Sequence, residues 1–237
     1  MKDMTERRSG AGLMVAWDTC TLRGTLAAGG RGMRTVERTF EARKGHAGWL
    51  MPDIESLLGA MGFGPESLAA VAVGTGPGTF TGVKVGVSTA KGVSLGLRVP
   101  LVGISTLDVL AAAAPRDAGL VLATIDARRG MLYFAAFHNG PSGPERLTDY
   151  SCMTPGGVAR EVSERGGHRS ARVCVVGEAS PGLLEALSGT GLEVSVGEER
   201  YPRGRDLLDL AMSALERGGP EVGTAASVLP IYLRKPV

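Results

Sequence analysis

The sequence predicts an α/β fold of two related subdomains with mixed sheets, and three observations carry that prediction. The apolar strand LMVAW ends on Asp18 and the apolar strand LVLATI ends on Asp126, each followed by a turn and another strand. Between them the run from Leu68 to Val73 enters a loop holding Gly74, Gly76, Gly78 and Gly82. A segment with Val83, Val87, Ala90 and Val93 at helical spacing follows. That order reads as strand, glycine-rich turn, helix.

At 237 residues the chain can bury a substantial core as one large domain or two modest ones. No run approaches the roughly 18 apolar residues of a membrane span, so no membrane is expected. Lys and Arg total 26 against 24 for Asp and Glu. A formal charge of +2 is too slight to argue for independent nucleic-acid binding. Cys20, Cys152 and Cys174 lack C-x-x-C spacing and lie in or beside apolar runs, which suits small buried thiols in a reducing cytoplasm.

Residues 1–12 mix charge signs and precede no signal-like apolar region, so they read as a disordered tail. The first subdomain is expected over 13–115. Strands from Leu13, from Leu22 to Ala28 and from about Met33 to Ala42 form an antiparallel meander. A helix follows with Leu50, Ile54, Leu57, Leu58 and Met61 on one face. Pro52 sits in its first turn, or inside it if the helix begins near His46. After the glycine loop and its helix, a short strand from Pro100 to Ile104 leads to a helix capped by Ser105 or Thr106.

The pattern restarts over 116–237, which reads as an eroded second copy. Strands are expected from Met131 to His138, Ala171 to Val176 and Leu192 to Val196. Helices are expected from Pro181 to Leu187 and from Arg205 to Arg217. The terminal PIYLRKPV reads as an extended piece docked on a sheet. Two like subdomains, each opening with a meander and an Asp at the first strand's end, suggest the actin-like ATPase architecture (ASKHA, RNase H-like) by analogy of fold.

The glycine loop admits a ligand reading and a plain one. A helix start with unpaired N–H groups can hold an anion, and a tight strand-to-helix turn needs the same glycines. The standard phosphate motifs fail: Gly82 is followed by Val83 rather than Lys-Ser/Thr, and no G-x-G-x-x-G is complete. Asp18 beside Thr19 fits a water-mediated contact to a metal-bound phosphate or a turn that bonds a backbone N–H. Asp126, in the turn Ala127-Arg128-Arg129-Gly130, reads as a turn residue. His46, His138 and His168 have no i, i+4 pairing, so no metal site is expected. No G-x-S-x-G elbow appears.

In the helix after the loop, Gly82, Gly86 and Ala90 recur every four residues, and Val85, Thr89, Gly92 and Gly96 form a second smooth stripe. Each interior glycine costs about 1 kcal/mol relative to alanine, so the helix needs close packing, either within the chain or against another subunit.

The run GTGPGTFTGVKVGVSTAKGVSLGLRVPLVGISTLDVLAA closely resembles the signature of the TsaB (YeaZ-type) family of the bacterial tRNA threonylcarbamoyladenosine machinery. AWDTCT, HAGWLMPDIESLL, DARRGMLYFAAF and PIYLRKP match the same family in order. The resemblance implies an actin-like fold and a non-catalytic scaffold or activator. It would bind the larger catalytic paralogue TsaD, with the ATPase TsaE joining. The paralogue modifies adenosine 37 of tRNAs reading codons that begin with A, and tRNA would be met only as part of the complex. The catalytic relative carries an H-x-x-x-H motif in the region of the first helix, where this chain has His46 and then Leu50.

The resemblance also implies that the first two helices pack against those of TsaD, or of a second copy in a homodimer. Leu50, Ile54, Leu57, Gly82, Val83, Gly86, Val87 and Ala90 are the residues expected there, and Gly86→Leu is expected to disrupt association. No resident cofactor is expected. ATP or ADP at the subunit interface stays open, with Asp18, Thr19, Gly76 and Gly78 as the candidate contacts. The alternative is an autonomous actin-like-fold ATPase or phosphotransferase using Asp18 and the glycine loop in an interdomain cleft.

Overall fold

In the computed structural model, which describes residues 12–41, 46–140, 143–165 and 172–234, β1 (Leu13–Asp18) forms the middle of a six-stranded sheet. All six of its residues are buried, because both faces of the sheet are covered. The order is β12-β5-β4-β1-β2-β3, with β2 (Arg23–Gly29), β3 (Val36–Glu41), β4 (Leu68–Gly74), β5 (Leu101–Ile104) and β12 (Val222–Gly223). β1 pairs antiparallel with β2 and parallel with β4. One face carries α1 (His46–Ala60) and α2 (Phe80–Leu97), whose Leu50, Ile54, Val83 and Val87 pack with Leu13, Val15 and Trp17. Pro52 is therefore interior to α1.

The chain then starts again. β6 (Leu120–Asp126), β7 (Leu132–Gly140), β8 (Gly143–Arg146), β10 (Arg172–Gly177) and β11 (Glu193–Val196) form a second sheet in the order β11-β10-β6-β7-β8, with β9 (Ser151–Met153) paired to β7. Matched strand for strand, this repeats the order β5-β4-β1-β2-β3 of the first sheet. Its first pair is again antiparallel and its β6–β10 pair parallel. The duplicated mixed sheet is the actin-like architecture that the two strand-ending aspartates suggest. α4 (Pro155–Arg165) and α5 (Pro181–Ser188) cover one face through Val158, Val162, Leu183 and Leu187. α3 (Thr106–Ala112) covers the other through Leu107, Leu110 and Ala111.

The division of the chain differs from the expected 13–115 and 116–237. One compact unit holds Met1–Ser105 with Arg203–Pro230, and the other holds Thr106–Pro202 with Ile231–Val237. α3 joins the second unit because its apolar face packs on Val121, Ala123 and Phe137. α6 (Gly204–Arg217) returns to the first unit. The Glu37 carboxylate accepts from Gly204 N at 2.6 Å and pairs with Arg205 Nε at 2.9 Å, and β12 then adds to β5. The amphipathic pattern of α6 announces a buried face without saying which sheet buries it.

Strands β8, β9 and β12 and helix α4 are additions to the sequence reading. The expected tail lies, apart from Gly12, outside the described residues. In the terminal segment, 230–234 form no strand; Arg234 Nη1 instead donates to Ala127 O at 3.0 Å. Among the described residues no helix is long and apolar enough to cross a membrane.

Candidate partner-binding face and glycine loop

The glycine loop is closed against the end of β1 by the chain itself. Asp18 is fully buried, and its Oδ1 accepts from Cys20 N at 2.7 Å, the turn-forming bond that Asp commonly makes two residues on. A Cβ on Gly74 would overlap the Asp18 carboxylate, and a Cβ on Gly78 would overlap Cys20 O. Thr79 N donates to Cys20 O at 2.7 Å, and the Thr79 hydroxyl caps α2 by accepting from Gly82 N. Gly76 takes φ 91° before a cis bond to Pro77. Among the four candidate nucleotide contacts, Asp18 and Thr19 thus face the protein interior and Gly78 backs onto β1's turn.

Two further bonds join β1 to the first turns of α2. Thr19 Oγ1 donates to Gly82 O at 2.6 Å, and Trp17 Nε1 donates to Gly86 O at 3.1 Å. Side chains reach these helix carbonyls because nothing projects from Gly82 and Gly86. A Cβ on Gly82 would overlap Thr19 O, and one on Gly86 would overlap Thr19 Oγ1. The smooth stripe is filled from within the subunit.

That finding corrects the location of the expected partner face. Leu50, Ile54, Leu57, Gly82, Val83, Gly86, Val87 and Ala90 are all buried in the first unit's own core. Sequence periodicity identified a close-packed face and could not say whose atoms fill it. The outward face of α2 carries Thr81, Lys84, Ser88, Gly92, Leu95 and Gly96, while Val85 and Thr89 of the second stripe are half-buried at its edge and Val85 packs on the core. Gly92 and Gly96 are exposed, and a Cβ on either would meet nothing within 4 Å. Leu95, beside them, is 67 % exposed. On α1 the outward residues include Gly48, Met51, Glu55, Ser56 and Gly59, with Met51 38 % exposed. The result is a helical surface of glycines, small polar residues, Glu55 and Lys84, with Met51, Leu95 and, in the first turn of α2, Phe80 as its exposed large apolar side chains.

The thiols separate by burial. Cys20 and Cys174 are buried and Cys152 is half-buried. Burial pushes the Cys174 thiol up, offset in part by a hydrogen bond with the Ser195 hydroxyl. Burial also raises Cys152, with the nearby Arg234 guanidinium opposing it. A raised thiol is mostly protonated at neutral pH and reacts slowly. Alkylation of the native chain at pH 7.5 is expected to label Cys152 alone, slowly and faster as pH rises. Cys20 and Cys174 should react only after unfolding, which peptide mass mapping would show.

Comparison with known proteins agrees with this architecture. Residues 40–207 match the family model described as "TsaD: tRNA N6-adenosine threonylcarbamoyltransferase". The chain is 31 % identical over 227 residues to the Escherichia coli K12 "tRNA threonylcarbamoyladenosine biosynthesis protein TsaB", covering 94 % of this chain and 95 % of that protein. The chain belongs to the TsaB family. A Haemophilus influenzae TsaB protein is 37 % identical over 124 residues, 52 % of each chain. The crystal structure "YeaZ from Pseudomonas aeruginosa" superimposes with a TM-score of 0.78 at 27 % identity, over 94 % of this chain and all of that one. Within this TsaB-family chain, Leu50 is a wholly buried core residue at the position where the resemblance places the second histidine of the catalytic relative.

Proposed function

We propose that this chain is a non-catalytic scaffold in the formation of N6-threonylcarbamoyladenosine at position 37 of tRNAs reading ANN codons. In this role it binds a TsaD-type catalytic paralogue, with a TsaE-type ATPase joining the assembly in the cytoplasm. The observation that carries the reading is the outward α1–α2 face. Gly92 and Gly96 weaken the exposed side of a helix by about 1 kcal/mol each without any intramolecular contact to justify them, and they leave room for another helix to approach closely. Exposed Leu95 and Met51 supply apolar surface for such a partner. In the free chain the same face would serve a second copy. Membership in the TsaB family supports the choice of partner.

Co-purification with the TsaD-type paralogue, with nucleotide and the TsaE-type ATPase present, tests the proposal. Association at micromolar concentration is expected, together with loss of tRNA modification when this subunit is left out. Failure to associate, or full modification without it, would overturn the reading.

A further inference from the structure

The turn between β6 and β7 holds a feature that its sequence, DARRG, conceals. Arg128 (φ 65°), Arg129 (φ 55°) and Gly130 (φ 70°) are consecutive left-handed residues, and two of the three carry long side chains. L-residues avoid this region, which favours glycine. The turn is fixed by several bonds. Asp126 Oδ1 accepts from Arg128 N at 2.7 Å, Ala127 N donates to Met131 O at 2.9 Å, and Met131 N donates to Arg128 O at 3.1 Å. Arg234, more than a hundred residues on, donates through Nη1 to Ala127 O at 3.0 Å.

The outcome is three arginines at one turn: Arg128 pairs with Asp126 at 3.1 Å, Arg234 binds the turn's carbonyls, and Arg129 projects from it. Arg129 is exposed and has no hydrogen-bond or ion-pair partner among the described residues. Arginines gathered at one exposed turn match the chemistry of a polynucleotide backbone, whose phosphates take the charge. The near-neutral overall charge hides this cluster, because its members come from two distant segments.

We infer that the β6–β7 turn, through Arg129 with Arg128 and Arg234 beside it, contacts backbone phosphates of the tRNA when this chain is part of its modification complex. The inference rests on the scaffold reading above. One phosphate contact adds about 0.9 to the slope of log affinity against log salt, close to a tenfold effect for each decade of salt.

The test uses the assembled complex and unmodified tRNA, with affinity measured from 50 to 500 mM KCl for the parent chain, Arg129→Gly and Arg129→Lys. Glycine adopts φ 55° freely, so R129G should fold with an unchanged or higher Tm. R129G should bind tRNA several-fold more weakly at low salt, with the slope reduced by about one, while R129K keeps the slope. An unchanged affinity and slope in R129G would overturn this inference and leave the scaffold reading standing. Weaker association of R129G with the paralogue in the absence of tRNA would make the turn a protein contact and also overturn it. Absence of any complex with the parent chain would overturn both.

Discussion

Gly86→Leu is expected to destabilise the first unit by about 3 kcal/mol or more, enough to lower Tm by roughly 10 °C and to leave part of the chain insoluble. Replacing a mid-helix glycine ordinarily gains up to about 1 kcal/mol in propensity. Here the sign reverses. The first atom of any side chain would overlap Thr19 Oγ1, and the rest would press on Val73 in a sheet with buried strands on both sides. Relief requires moving Thr19, which would break its 2.6 Å bond to Gly82 O, or moving the helix, which would break the Trp17 bond to Gly86 O. Each loss leaves a buried polar group unsatisfied. Chemical denaturation followed by the fluorescence of Trp17 and Trp49 measures the effect. A Gly86→Leu chain of parental stability would show that the stripe is not filled as described. Loss of partner binding in this variant would then report on folding rather than on an interface.

Gly92→Trp is expected to do the opposite: leave the fold intact and weaken binding to the TsaD-type paralogue by at least about tenfold, since a bulky group at a close-packed contact costs 1.4 kcal/mol or more. A Cβ at position 92 meets nothing within 4 Å, so the indole projects into open space in the isolated chain. Removing a helical glycine should hold Tm level or raise it slightly. Equilibrium binding by calorimetry, with Tm measured on the same preparation, separates the two effects. Parental affinity in a folded Gly92→Trp chain would place the partner elsewhere. The contrast between positions 86 and 92, six residues apart on one helix, distinguishes glycines needed for folding from those left for a neighbour.

The same contrast shows how far the sequence could be read at the candidate site. The two smooth stripes of α2 are visible as spacing in the sequence. Helical periodicity gives relative angles around an axis and no absolute direction, so it cannot tell a stripe filled from within the chain from one offered to a partner. The residue type of Asp18 at a strand end suits either a ligand contact or a turn bond. The turn bond to Cys20 N and full burial show its present partner, which depends on where Gly74 and Gly78 bring the loop. Arg128 and Arg129 gave no sign of left-handed geometry, because only Gly130 carries a residue type that favours it.

The sequence by itself determined the succession of elements, the repetition of a meander ending on Asp18 and again on Asp126, and the family to which the chain belongs. These are properties of local hydrophobic period and of ordered motifs, each written within a few dozen neighbouring residues. The tertiary structure alone decided that α6 returns to the first sheet while α3 leaves for the second. It also decided which atoms fill the glycine stripe and that Arg234 joins Arg128 and Arg129 at one turn. The contacts that return α6, fill the stripe and bring in Arg234 join residues more than sixty positions apart, and α3 chooses between two flanking sheets; in each case packing, steric overlap and hydrogen-bond satisfaction select the partner.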